Sequence, residues 1–175
     1  MSLEPILTPR LRLRPLEPRD APALSAYRSD PNVARYQSWK VPFSKADALE
    51  LIQAMRTRDI TDLGWTQIGI TTLETDELIG DIGFNRVDSS TAEIGFTLAA
   101  AQQRQGLMRE AVHALLESAS ATGVQRITAT TDIRNTASQR LLTHLGFALE
   151  RITKDTWLEH GEFFDECQYA LEMAR

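Results

Sequence analysis

Cysteine is nearly absent from this chain: among 175 residues there is only Cys167. A single thiol excludes an intrachain disulfide and any cage of thiolates around a metal. Cys167 sits in the strand-like run FFDECQYALEM, where a buried structural cysteine is expected. Long apolar runs are missing too, and nothing approaches the ~20 residues a membrane-spanning helix needs. The opening MSLEPILTPRLRLRPL has no basic flank leading into a long apolar stretch, so a cytoplasmic protein with no membrane partner is expected. Positive charge is in deficit: 19 Lys and Arg against 24 Asp and Glu leave a net charge of −5, which argues against a nucleic-acid surface. The three histidines, His113, His144 and His160, have no zinc-ligand spacing with one another or with acids, so no metal is expected. Internal repeats, low-complexity tracts and linkers are lacking as well, which makes residues 1–175 a single domain large enough to bury a core.

The pattern that is present alternates strands and helices. RLRLRPL (10–16) alternates basic and apolar residues and reads as a half-exposed strand. Pro18-Arg19-Asp20 opens a helix to about Ser29, which Asp30-Pro31-Asn32 breaks. Ser44 caps a helix running from Lys45 to about Arg58, with Ala48, Leu51, Ile52 and Met55 at helical spacing. Residues 65–73 and 78–87 form a hairpin around a turn at Glu74 to Glu77, and 92–98 is a third strand. Leu107, Ala111, Leu115 and Ala119 make one helix stripe, which Gly123 ends. A strand at 125–131, a helix from Asn135 to Gly146, and strands at 147–155 and 163–173 about a His160-Gly161 turn complete the chain. A strand-helix-strand unit after antiparallel strands implies an α/β (α+β) mixed sheet with helices on its faces.

Between the third strand and the long helix lies Gln103-Arg104-Gln105-Gly106. A turn there puts free backbone N–H groups at the mouth of a helix, a natural seat for phosphate. The Gly-Lys-Ser/Thr ending of a P-loop and the G-x-G-x-x-G dinucleotide fingerprint are both absent. What remains is Gln103-x-x-Gly106-x-Met108. It is preceded by Glu93-Ile94-Gly95-Phe96 and followed by Asn135-x-x-Ser138 and His144-Leu145-Gly146-Phe147.

With this element order, the set resembles the GNAT superfamily of acetyl-CoA-dependent N-acetyltransferases, and within it the RimJ/RimL branch that acetylates N-termini of ribosomal proteins. The likeness extends from Leu11-Arg12-Leu13-Arg14 to Asp165 and Tyr169. It implies a mostly antiparallel twisted sheet of about seven strands with about four helices, and acetyl-CoA as acetyl donor. It also implies that Gln103, Arg104, Gln105, Gly106, Leu107, Met108 and Arg109 hold the pyrophosphate. Met108 stands where the family pattern prefers Gly or Ala. The pantetheine would run beside Phe96, Thr97 and Leu98, with a backbone N–H near Thr97 or Leu98 polarising the acetyl carbonyl. Asn135 would bond the CoA arm, and Ser138 would lie near its sulfur. Many relatives use a tyrosine as acid in this helix; the corresponding position here is Leu142, which leaves Ser138 as the proton donor.

Glu93 is the candidate base, acting through water, with Asp81 and Glu77 behind it. Tyr36 and Trp39, in the connection between the first two helices, are the candidate acceptor contacts, and the rim near Trp157 is a further one. The acceptor is a small-molecule amine or a protein N-terminus, and a homodimer is the default among homo-oligomers. The alternative is a non-catalytic acetyl-CoA-binding module on the same fold, motivated by Leu142, Met108 and the undetermined base.

Overall fold

Period-two and period-3.6 patterns decide the elements in the computed structural model, which describes residues 3–157 and 163–173. The strands are β1 (Ile6–Leu7), β2 (Leu11–Pro15), β3 (Gly64–Thr72), β4 (Leu78–Arg86), β5 (Thr91–Leu98), β6 (Arg126–Asp132), β7 (Ala148–Trp157) and β8 (Phe163–Glu172). The helices are α1 (Ala21–Ser29), α2 (Pro31–Ala34), α3 (Lys45–Met55), α4 (Leu107–Ala121) and α5 (Thr136–His144). The strands form one sheet in the order β1-β2-β3-β4-β5-β6-β8-β7, and among the described residues the β5–β6 pair alone is parallel. The expected seven strands and four helices thus gain two short pieces. One is the two-residue β1. The other is α2, where Asp30 does not simply break the chain but caps a new turn, accepting the Asn32 N–H at 2.9 Å. Helix α3 ends at Met55, short of Arg58. The expected His160-Gly161 turn and the side chain of Trp157 lie outside the described residues.

Each face of the sheet buries its own apolar set. Ile68, Ile70, Ile82, Phe84 and Ile94 alternate along the central strands and pack with the α4 stripe of Leu107, Met108, Ala111, Val112 and Leu115. A second cluster joins Leu16, Leu24, Tyr27, Ile52 and Leu78 under α1 and α3. The β2 strand departs from its half-exposed reading at Arg14, which is only 4 % exposed. Its guanidinium makes two bonds to Asp20, at 2.7 and 2.9 Å, and one to Asp76 at 3.2 Å. A buried cation persists because both acids come to it. Burial alone would raise the Asp76 carboxyl, but hydrogen bonds from Thr71, Arg14 and Arg19 prevail and hold it at about 2.

One irregularity positions the site. Strands β5 and β6 are in register only at Thr91–Arg126, Ala92–Ile127 and Glu93–Thr128. Beyond Glu93 they part, and the sheet opens into a wedge whose one wall is the free edge of β5 from Ile94 to Leu98.

Candidate active site

Antiparallel pairing settles which β5 groups face the wedge. Ala99 N–H donates to the Ile79 carbonyl at 2.8 Å, and Asp81 lies opposite Thr97. Bonding alternates along such a pair, so Thr97 turns its polar backbone groups toward β4, while Phe96 and Leu98 turn theirs into the wedge. Two side chains already use these outward carbonyls: Gln37 donates to Phe96 O at 3.5 Å and Gln103 to Leu98 O at 3.0 Å. Of the two N–H groups expected to polarise an acetyl carbonyl, the geometry retains Leu98 and assigns Thr97 to the ladder.

The wedge leads into a cavity of about 470 Å³ bounded by Phe96, Thr97 and Leu98, the loop before α4, and the first turn of α5. The loop combines two left-handed residues, Arg104 at φ 63° and Gly106 at φ 75°. Such conformations turn successive N–H groups into an anion-binding concavity. The first helical N–H to bond backward is that of Glu110, to Gly106 O at 3.1 Å. Those of Leu107, Met108 and Arg109 have no intrahelical acceptor, and the positive end of a 15-residue helix adds to their pull on phosphate. These features fit a pyrophosphate group. Gln103, Arg104, Gly106, Leu107, Met108 and Arg109 all line this cavity. Gln105 does not: its side-chain amide donates to Ala101 O at 3.2 Å, and its own carbonyl accepts from Arg10 at 3.0 Å. Met108 is 8 % exposed and packs into the core, so its bulk goes mostly beneath the loop.

Opposite the loop, Asn135 caps α5 by accepting the Ser138 N–H at 3.2 Å. Both residues line the cavity, and among the described residues the Ser138 hydroxyl has no hydrogen-bond partner. Leu142 is fully buried, so this helix offers no side-chain acid at that position.

A second cavity of about 450 Å³ lies along the β5 residues Glu93 to Thr97 and shares Tyr36, Gln37, Phe96 and Thr97 with the first. Gly83 and Gly95, directly paired across β4 and β5, line it without side chains. Trp39 stands on its wall, its indole N–H bonded to Arg28 O at 2.9 Å and its ring 4.4 Å from the Arg28 guanidinium carbon. Tyr36 reaches both cavities.

The candidate bases fare differently. Asp81 is 1 % exposed and accepts bonds from Tyr27 at 2.5 Å, Arg28 at 2.6 Å and Gln67, so both its oxygens are taken up by protein groups. Glu77 lies at the exposed start of the hairpin return and lines neither cavity. Glu93 lines the second cavity, yet about 10 Å of extended strand separates its Cα from that of Phe96. That span leaves room for water between its carboxylate and an amine beside Phe96, the arrangement the sequence suggested.

Cys167 is 1 % exposed, and its thiol is pushed up first by burial and then by Asp132, Asp165 and Glu166. It is the structural cysteine the sequence indicated, and no nucleophile. His113 and His144 lie on exposed helix surfaces, and His160 is outside the described residues. Among the described residues no group of three His, Cys, Asp or Glu side chains could hold a metal, and no helix is long and apolar enough to cross a membrane.

Sequence reasoning missed the clasp on the phosphate loop. Arg10 bonds Glu110 through its backbone N–H at 3.0 Å and its side chain at 2.7 Å, while Thr8 bonds Glu110 at 2.6 Å. It also missed the Arg28–Asp81 pair. Neither leaves a local pattern, because the partners are 100 and 53 residues apart.

Residues 10–148 match the family model described as acetyltransferase (GNAT) domain. The chain is 33 % identical over 173 residues to an uncharacterized N-acetyltransferase, p20, of Bacillus licheniformis, covering 97 % of this chain and 96 % of that one. It is 34 % identical over 98 residues to the ribosomal-protein-serine acetyltransferase of Escherichia coli, covering 54 % and 55 %. The crystal structure of a GNAT-family acetyltransferase from Bacillus anthracis superposes with a TM-score of 0.86 at 26 % identity, covering 97 % and 98 %. The chain therefore belongs to the GNAT family of acetyltransferases, with ribosomal-protein-serine acetyltransferases of the RimJ/RimL-like branch among its relatives.

Proposed function

We propose that the protein transfers the acetyl group of acetyl-CoA to a primary amine, with both substrates bound at once. The observation that carries this reading is the meeting of two cavities at Phe96 and Thr97, one built for a phosphate-bearing arm and the other open for an acceptor. The loop N–H groups and Asn135 hold the donor, and the Leu98 N–H polarises the carbonyl. The amine nitrogen attacks the carbonyl carbon, forming C–N as C–S breaks. The departing sulfur takes the Ser138 hydroxyl proton, directly or over one water, Ser138 regains a proton from water, and the amine proton leaves to water in the second cavity. Holding both reactants in line supplies most of the rate, since effective molarities of ~10⁵ M or more follow from placement alone.

The test follows free thiol while acetyl-CoA is incubated with a panel of amines and N-terminal peptides. We expect thiol release that depends on the acceptor. Ser138→Ala should lower kcat about tenfold to a hundredfold, at the low end of general-acid effects because a thiolate leaves readily, with acetyl-CoA affinity little changed. Binding of acetyl-CoA with no thiol release for any acceptor would instead establish a non-catalytic module.

A further inference from the structure

An amine that attacks beside Phe96 sheds a proton, and the walls of the second cavity decide where it goes. Four acids line that cavity: Asp81, Glu93, Asp132 and Glu166. Asp81 is taken up by Tyr27, Arg28 and Gln67. Asp132 is 4 % exposed and held by Arg134 at 2.6 Å. Glu93 and Glu166 make no hydrogen bond or ion pair among the described residues. Arg151 on β7 lies close enough to Glu166 to be felt, but its guanidinium donates to Gln168 at 2.7 Å.

Strand register separates the two free carboxylates. Glu93 pairs with Thr128 in the parallel β5–β6 ladder. Four residues further along each strand, Thr97 comes level with Asp132, and Asp132 pairs in turn with Glu166 on β8. Directly paired residues share a face of the sheet, and so do residues an even number apart on one strand. Glu93, Thr97, Asp132 and Glu166 therefore stand on one face. Glu166 is level with the Thr97 end, where the amine reacts, while Glu93 lies about 13 Å down the strand. The cavity holds about 450 Å³ and follows β5 over that length, so it is roughly 6–7 Å wide. That width takes an amine, one water and a carboxylate in file at ordinary hydrogen-bond spacings of about 2.8 Å.

We infer that Glu166 is the proton acceptor for the attacking amine, reached over one water at the Thr97 end of the second cavity. This rests on the acetyl-transfer reading above. As C–N forms and C–S breaks, the nitrogen gives a proton to the water, and the water gives one to the Glu166 carboxylate. The carboxylic acid so formed loses its proton to solvent once the product has left. The surroundings suit this role. Burial, and then the charge of Glu93, push the half-buried Glu166 carboxyl up, with Arg151 opposing them, and a raised carboxyl is a stronger base near neutral pH. The remaining charges about it are balanced in pairs, Asp132 with Arg134 on the β6 side and Asp81 with Arg28 across the cavity. Asp165 and Cys167, its neighbours on β8, point to the other face.

The experiment measures kcat across about pH 5 to 9, which brackets carboxyl titration, at saturating acetyl-CoA. The acceptors are a short peptide with a free N-terminal serine and, as a second probe, methylamine. Parent, Glu166→Gln, Glu166→Asp and Glu93→Gln are compared. The ratio of parent to Glu166→Gln cancels the titration of the acceptor, which both enzymes share. It should lie near one at the acid end, where Glu166 is protonated. Above the Glu166 titration it should climb to about tenfold to a hundredfold, the low end for a base acting over water. Glu166→Asp should recover part of the loss. Glu93→Gln should move the climb to lower pH, because a like charge is gone. Calorimetric affinity for acetyl-CoA should be the same in parent and Glu166→Gln. A ratio that is flat with pH, whether at one or at a uniform loss, overturns this inference and leaves acetyl transfer standing. So does a pH-dependent loss in Glu93→Gln with none in Glu166→Gln. No acceptor-dependent thiol release from the parent overturns both.

Discussion

Gly95 keeps a space open that nearly any other residue would fill. A Cβ built there meets nothing within 4 Å, whereas one at its partner Gly83 would come within 3.1 Å of the Trp65 ring. Because the backbone at Gly95 is not left-handed, Gly95→Leu should fold with its melting temperature within a few degrees of the parent and occupy the second cavity. The acceptor KM should rise about tenfold while the calorimetric affinity for acetyl-CoA stays put, since a side chain of that size displaces one hydrocarbon portion of a ligand. At this scale the sequence was legible where a residue acts on its neighbours. Asn135 was read as the start of a helix and caps it by accepting the Ser138 N–H; Cys167 was read as structural and is buried. It was not legible where the partner is distant. Nothing near Arg14 announces Asp76, and nothing near Arg28 announces Asp81. Alternation put Arg14 on the polar face of β2, and tertiary pairing then buried it.

Among elements, the loop and first turn of α4 depend on a hairpin far away in the chain. The β1–β2 turn brings Thr8 and Arg10 onto Glu110, and Arg10 also holds the Gln105 carbonyl. Burial alone would raise the Glu110 carboxyl, but hydrogen bonds from Thr8 and Arg10 outweigh it and set it below its ordinary value, so it stays charged at neutral pH. Loosening this clasp frees the loop to leave its anion-binding shape. Arg10→Ala and Glu110→Gln should each raise acetyl-CoA KM about threefold to tenfold, the loss of one or two charge-assisted bonds, and kcat at saturation should change little. Steady-state kinetics with varied acetyl-CoA checks it; an equal fall in kcat would show the clasp serves the chemistry and not the cofactor arm. The long elements were readable from sequence because α4 carries an apolar stripe and β3 to β6 are strand-like runs of seven to nine residues bounded by turn or helix signals. The short β1 and α2 were not, since two and four residues carry no period. The placement of β8 beside β6, with β7 outside it, was also hidden: a terminal hairpin has the same pattern in either order.

At the scale of the molecule, the sheet is continuous only at the base of the wedge, where three residue pairs join β5 to β6. A ligand lying in the wedge touches β5 on one side and α5 on the other, and binds the folded state alone. Acetyl-CoA at a hundred times its dissociation constant should add about 2.7 kcal/mol and raise the melting temperature by roughly 5–10 °C. Calorimetric scans with and without acetyl-CoA measure it, and no shift would mean that the wedge is not the donor site. The fold as a whole was legible because the motif set and the element order agreed. The acidic lining of the second cavity was not legible, because Glu93 and Glu166 are 73 residues apart in the chain and reach one cavity only after β8 has crossed to lie beside β6.

The parted strands also bear on self-association. A strand edge without a partner strand, such as β5 presents from Ile94 to Leu98, is usually a template for another protein strand, and so a hazard for aggregation. Here the row faces inward and narrows to closed pairing at Glu93. An incoming strand needs about 4.8 Å to each neighbour and room above and below for alternating side chains. A wedge that closes at one end denies it that room, and admits a slender chain with amides and few side groups. The same opening that exposes an edge thereby excludes the polypeptides that would otherwise seek it.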